Sequence, residues 1–399
     1  MIFSKNPIQS ELVGNKRGFI DTRFGRAKIP FEGYSLRFEF LKNQILELFD
    51  EVILSGKYTG RGNRVIALEK SIKDLWGTTG IATSSGTISL QIALMCAGIN
   101  PGDEVIVPSL TFISTAYAVN AVGGIPVFVD IDPKTLTINP DAVLDSITSK
   151  TVAIIPVHMY GQMADMDRLL DIAKKYNLKI IEDCAQSHGA TYHGNYAGSM
   201  GDFGCFSFYN GKNIGGLEDG GMITMQDAKN VSQVLRLCDL GRIPGNRYNH
   251  EVFGLRGRMG EFTAALINLE LKFLEEWNQR RNYIANYYNA HFEGLPLQIP
   301  FVAPGRTHVY YLYTVITDSV QTRQKLEDHL NSVGIETMRI YPKLIPDQPV
   351  YQNGLPHRVG RLTIAKQIVE KLLSLPVYPE LEMTDLNRIV KAVQQVFCQ

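Results

Sequence analysis

Lys212 stands in the run S-F-Y-N-G-K-N-I-G-G-L-E-D-G-G (207–221), flanked by Gly211 and the Gly215–Gly216 pair. A lysine in a loop is ordinarily a solvated charge. Held by a glycine-rich loop beside a buried sheet edge, it could instead have a lowered pKa and act as a Schiff-base nucleophile. Upstream, I-I-E-D-C-A-Q-S-H-G-A (180–190) carries Glu182 and Asp183 at the end of an apolar run. A carboxylate at the carboxyl end of a buried strand lies where open α/β sheets collect ligands, and it must find a partner. A helix cap, a structural ion pair or the cationic ring nitrogen of a cofactor would each satisfy it. A third segment, T-S-S-G-T (Thr83–Thr87), opens a helical stretch. Its small residues either cap that helix or leave backbone N–H groups free for an anion. An acid followed by a lysine on successive strands is the order that pyridoxal phosphate chemistry needs: one residue for the ring nitrogen, one for the imine.

The elements around these residues are legible from periodicity. Short β-branched runs at Val105–Val107, Ile125–Val129, Val152–Val157, Lys179–Ile181, Phe203–Phe208 and Met222–Met225 read as strands. Helices are expected between them near Thr87–Ala97, Phe112–Val122, Asp165–Tyr176 and Ala228–Cys238. That alternation predicts βαβ units and a largely parallel sheet buried on both faces. Residues 36–54 read as a helix. From Met259 to Trp277 apolar residues step by three or four, predicting one long amphipathic helix out of a large domain. A smaller α+β unit follows. Its expected strands are Val309–Ile316 and Thr337–Tyr341, and its expected helices are Gln321–Val333, Leu362–Leu373 and Asp385–Phe397. The expected division is an N-terminal arm (1–35), a large domain (36–280) and a small C-terminal domain (281–399).

The three segments together closely resemble the DegT/DnrJ/EryC1/StrS sugar aminotransferase family, within fold type I of the pyridoxal-phosphate enzymes. The resemblance extends over nearly the whole chain. It includes GDEVIVPSLTFISTAYAV, PVFVDIDPKTLTI, IIPVHMYGQMADMD, EDCAQSHGA, the lysine loop, RMGEFTAAL and LSLPVYPEL. It implies an α/β fold whose large domain holds a mostly parallel seven-stranded sheet between helices. It also implies roles for single residues. Lys212 carries pyridoxal 5'-phosphate and shuttles a proton, while Asp183 pairs with the pyridinium nitrogen. Gln186 meets the ring hydroxyl and Phe112 stacks on the ring. Gly86, Thr87 and Ser207 hold the phosphate. His188 is read as structural rather than catalytic.

Four positions depart from the family pattern. Arg256, in G-L-R-G-R-M, replaces an Asn that reaches the cofactor phosphate of a neighbouring subunit; an arginine there could still meet an anion. In G-I-E-T-M-R-I-Y-P-K-L-I-P, Arg339 and Pro346 stand near two positions usually held by His. Asn210 replaces a usual Pro. Of Arg242, Arg247, Arg256, Arg258 and Arg339, most should be surface charges, and Arg256 is the first candidate for a substrate or cofactor anion.

The expected reaction moves an amino group from glutamate or glutamine to a keto sugar, nucleotide-linked or otherwise anionic, or to a cyclitol. The expected assembly is a homodimer with shared active sites. One alternative is a dehydratase of the same fold, in which His replaces the lysine; Lys212 opposes it. Another is a non-catalytic regulator that keeps the fold, which the intact Asp183, Gln186, Ser207 and Lys212 set opposes. The eight His show no metal-ligand spacing.

Bulk properties set the outer limits. The 399 residues carry 40 Lys plus Arg against 40 Asp plus Glu. A zero net charge argues against nucleic acid or an anionic membrane surface as partner. The five cysteines form no C-x-x-C pair, and their odd number predicts a reduced, cytoplasmic setting. The first residues lack an apolar core, so no signal peptide is expected. No apolar run approaches the roughly 18 residues that span a bilayer.

Overall fold

The computed structural model describes residues 28–397, apart from 228, 244, 245 and 247. The expected arm therefore lies largely outside the described residues, as do Arg247 and Cys398. Thirteen strands run in chain order: β1 (Thr79–Thr83), β2 (Glu104–Pro108), β3 (Ile125–Val129), β4 (Thr151–Ile154), β5 (Lys179–Asp183), β6 (Thr191–Tyr192), β7 (Asn195–Tyr196), β8 (Phe203–Ser207), β9 (Gly221–Met225), β10 (Leu297–Gln298), β11 (Tyr313–Thr317), β12 (Arg358–Val359) and β13 (Leu372–Leu375). The main sheet has the order β1-β9-β8-β5-β4-β2-β3-β12. Only β9 runs against its neighbours. β2, with the sequence EVIVP, is buried along its whole length, as a parallel strand covered on both faces must be.

The sheet has eight strands rather than the seven expected. The eighth, β12, is two residues of the C-terminal part of the chain paired on β3. β1 was not anticipated: T-G-I-A-T offers too short a β-branched pattern, and the strand is defined by pairing with β9 from Thr79↔Met225 to Thr83↔Gly221. A second sheet, β10-β11-β13, lies in the C-terminal part. Its packing partners include helices Leu274–Phe292, Val320–Ser332 and Met383–Phe397.

Other expectations shift locally. The long helix is interrupted: Glu261–Glu270 and Leu274–Phe292 are separated by a tighter turn at Leu271–Phe273. Apolar spacing alone does not reveal that break. The stretch at 337–341 forms only an isolated pairing, Met338↔Ser374, rather than a strand. The helix expected over Leu362–Leu373 ends early, at Thr363–Ile368 plus one tight turn, and Leu372–Leu375 pairs with β11 as β13. Tertiary pairing overrides helix propensity there.

Candidate functional site

β5 ends in two adjacent carboxylates, and strand alternation sends them to opposite faces. Glu182 is fully buried. It accepts from the amides of Gly198 (3.0 Å), Met200 (2.9 Å) and Gly201 (2.7 Å), and lies 2.9 Å from His158 Nε2. Burial pushes its carboxyl upward, but the His158 contact and these amides outweigh that and hold it below its ordinary value. The other ring nitrogen of His158 accepts from the Ala164 amide at 3.2 Å. Cys184 Sγ completes a compact group with His158 and Glu182. Both His158 nitrogens are engaged in hydrogen bonds, so this is an internal scaffold.

Asp183 is also buried, but its partners are weaker. Thr115 Oγ1 donates at 2.8 Å and the Ala185 amide at 3.2 Å. Among the described residues it forms no ion pair within 4.0 Å. Burial therefore dominates and pushes its carboxyl above the ordinary value, against the pull of Thr115, Ala185, Lys212 and His158. A buried carboxyl in this condition either stays protonated or needs a cation beside it.

The segment Thr83–Thr87 is an N-cap and more. Ser85 caps helix Gly86–Cys96 by accepting from the Ile88 amide at 3.2 Å. The amides of Gly86 and Thr87, in the first turn, have no partner within the helix. Gly86 lies directly against β8: a Cβ there would sit 2.7 Å from Ser207 Cβ. Gly221 is as tight, since its Cβ would meet the Ser85 carbonyl at 2.4 Å. Only glycine permits these approaches, and they bring Ser207 beside the helix start. Thr87 Oγ1 donates to Ser114 Oγ at 2.8 Å, tying this corner to the helix that carries Thr115.

Phe112 precedes helix Ser114–Ala121 rather than sitting in it, because its carbonyl accepts from the Thr115 amide. Its ring is 54% exposed and tilted toward Tyr341, centroids 5.9 Å apart. Gln186 is buried. Its Oε1 accepts from the Tyr160 amide at 2.7 Å and its Nε2 donates to the Tyr341 hydroxyl at 3.2 Å. Tyr160 itself takes φ 58, an uncommon left-handed value for a non-glycine residue, and its hydroxyl donates to the Ile340 carbonyl. Lys212 is half-buried, with Nζ 4.4 Å from the centre of the Tyr311 ring. His188 is fully buried between Phe206 and Phe208, and burial, reinforced by the Lys212 charge, pushes it down to about 3. It stays neutral and is no acid–base group near neutral pH.

Arg256 is exposed, and among the described residues it forms no ion pair. Its neighbour Gly257 accepts from the Ser84 amide at 2.8 Å, which sets this segment beside the Thr83–Thr87 loop. Arg242 and Arg258 share Asp239, each at 3.1 Å. Among the described residues, Arg339 donates to the nearby Pro342 carbonyl at 3.5 Å and forms no ion pair. Sequence reasoning missed Thr115, Tyr160 and Tyr341. Only Thr115 had a local signal, since it falls on a helix immediately after Phe112.

A buried carboxylate held by only a hydroxyl and an amide, a helix start with free amides and a half-buried lysine are groups that would fit a cationic ring bearing an aldehyde and a phosphate. The DegT/DnrJ/EryC1/StrS aminotransferase family model matches residues 40–394. This chain belongs to that family. It is a pyridoxal-phosphate-dependent aminotransferase. It is 37% identical to a pleiotropic regulatory protein of Geobacillus stearothermophilus, over 92% of this chain and 98% of that one. It is 36% identical to a UDP-N-acetyl-3-dehydro-alpha-D-glucosamine 3-aminotransferase of Acidithiobacillus ferrooxidans, over 92% and 97%. Among solved structures it resembles Streptomyces venezuelae DesV, with TM-score 0.87 and 36% identity over 92% and 98% of the two chains.

Proposed function

We propose that the enzyme transfers an amino group from glutamate or glutamine to a keto sugar, nucleotide-linked or otherwise anionic, or to a cyclitol. The observation that carries this reading is Asp183, buried at the end of β5, held by only the Thr115 hydroxyl and the Ala185 amide, and in no ion pair among the described residues. The sugar class rests on kinship with enzymes such as the UDP-sugar aminotransferase of A. ferrooxidans.

The cofactor's conjugated ring, when bound, withdraws electron density from the carbon that carries the amine. The chain's own residues do the rest. Lys212 would hold the cofactor covalently until the donor's amine displaces it; the freed amine would then take a proton from the donor's α-carbon and return it on the other side of the exchange. Asp183, ionised, would pair with the ring nitrogen and keep it protonated. Gln186 would meet the ring hydroxyl, and Phe112 would stack on the ring. Gly86 and Thr87 offer amides to the phosphate, Ser207 a hydroxyl, and Arg256 a charge.

The half-open Phe112 and an apolar helix face with Leu46, Phe49, Ile53 and Leu54 exposed support a homodimer in which the second copy completes the site. The free Cys96, Cys184, Cys205 and Cys238 suit a reducing cytoplasm. No helix among the described residues is long and apolar enough to cross a membrane.

The purified protein should be yellow, and borohydride followed by peptide mapping should fix the cofactor on Lys212. Lys212→Ala should lose about 10⁴-fold in turnover. A variant that still transaminates would refute the assignment. A screen of keto sugars and amino donors by mass spectrometry tests the substrate class. A colourless, inactive protein would instead support the non-catalytic reading that the name of the G. stearothermophilus relative suggests. Sedimentation showing an active monomer would refute the shared site.

A further inference from the structure

The lysine loop is gripped by a buried ion pair that comes from elsewhere in the chain. Arg37, on helix Tyr34–Phe40, is 4% exposed. Its Nη1 donates to the carbonyl oxygens of Lys212 (3.0 Å) and Asn213 (3.5 Å), and its Nη2 donates to that of Asn210. Its Nε lies 3.5 Å from Glu270 Oε1. Glu270, at the end of helix Glu261–Glu270 and fully buried, uses its other oxygen to accept from the Gly215 amide at 2.7 Å. One guanidinium and one carboxylate therefore hold the loop at 210, 212, 213 and 215. The guanidinium is itself fixed by the rings of Phe38 and Trp277, at 5.0 and 5.7 Å.

We propose that Arg37, paired with Glu270, is a positioning residue for Lys212: it fixes the backbone from which the lysine reaches the cofactor. This rests on the reading of Lys212 given above. The argument is geometric. Four backbone groups of a short glycine-rich loop are tied to two side chains, and neither side chain is needed to close the loop, which already has its own turn bonds, Lys212 N–H to Tyr209 O and Gly216 N–H to Phe208 O, both 2.9 Å. Burying an ion pair is costly and is weak evidence for stability alone. Its partners here are the backbone of the reactive lysine. A lysine at position 37 would keep the charge opposite Glu270, but a single ammonium cannot reproduce a planar fork aimed at three carbonyls.

The test compares Arg37→Lys and Arg37→Met with the parent holoenzyme. Arg37→Met should lose about 10²-fold in kcat with little change in KM, the scale expected when a reacting group is misplaced by about an ångström. Arg37→Lys should fall between the two. In both variants the pH midpoint of the visible band of the Lys212-bound cofactor should move, and deuterium uptake in a peptide spanning 210–216 should speed up. A purely structural role would lower the melting temperature and leave the band midpoint where it was. Should Arg37→Met fail to fold, Arg37→Lys decides. Folded variants with the parent's kcat, midpoint and exchange rate overturn the proposal. If borohydride traps no cofactor on Lys212 in the parent, the functional reading itself falls, and this proposal with it. Trapping in the parent with unaltered variants overturns the clamp alone.

Discussion

Glu182 and Asp183 are neighbours in sequence, equal in charge and both buried, yet their surroundings treat them oppositely. On one face of β5, Glu182 meets three amides and an imidazole, and its carboxyl is held below its ordinary value. On the other, Asp183 meets one hydroxyl and one amide, and its carboxyl is pushed up. The protein surrounds the first carboxylate with four partners of its own and gives the second only two. Burial of a charge marks neither as functional. What separates them is how many hydrogen-bond partners the protein itself supplies, and under the proposed function a cofactor would complete the second.

That contrast can be broken by experiment. The largest effect is expected at Glu182→Gln, which removes the charge from a four-partner cradle. The fold should lose about 3–5 kcal/mol, read by denaturant titration, while molecules that remain folded keep the cofactor band. Asp183→Asn should behave inversely: stability nearly unchanged without cofactor, turnover down about 10²–10³-fold, read by steady-state kinetics. If Glu182→Gln abolished catalysis without destabilising, or Asp183→Asn unfolded the protein, the division between the two faces would be wrong.

The pH dependence sharpens the same point. Glu182 has a folded pKa below its ordinary 4.5, so its stabilisation is present above that value and lost as pH falls. Asp183 without cofactor has a folded pKa above its ordinary 3.8, so its contribution is present below that value and lost as pH rises. The stability gap between parent and Glu182→Gln should therefore narrow toward acid. The gap between cofactor-free parent and Asp183→Asn should be smallest in acid, where the protonated carboxyl resembles the amide, and should shift in the variant's favour toward neutral pH. Loading the cofactor should reverse only the second trend, because its ring nitrogen supplies the missing cation. The smallest effect is expected at Thr115→Val, which deletes the hydrogen bond to Asp183 and the 3.1 Å contact with Thr111 Oγ1, each worth about 1 kcal/mol, and should raise the Asp183 carboxyl slightly further.

The groups with strong local signals were legible in the sequence. The strand-then-acid pattern offered Glu182 and Asp183 alike, the resemblance pointed to Asp183, and the glycines around Lys212 marked its loop. The small residues at Thr83–Thr87 announced a helix start, and the structure shows why Gly86 belongs there. Residues that act through tertiary contact left no such mark. Arg37 lies in a short helix far from Lys212 in sequence, and nothing in Y-S-L-R-F-E-F shows that its arginine turns inward. Tyr341 was placed in a strand that does not form, yet it meets both Gln186 and Phe112. β12 and β13 were missed or read as helix because two to four residues are too few for a period to emerge.

The two residues of β12 have an importance out of proportion to their length. β3 would otherwise end the sheet, with its unpaired N–H and C=O groups open to any other extended chain. Arg358 and Val359 cover that edge, and Arg358 is tied to Glu104 of β2 at 2.5 Å. The cap arrives more than two hundred residues after the strand it protects. In a nascent chain that has β3 but not yet β12, that edge has no partner of its own, and an unpaired strand edge is a common route to aggregation.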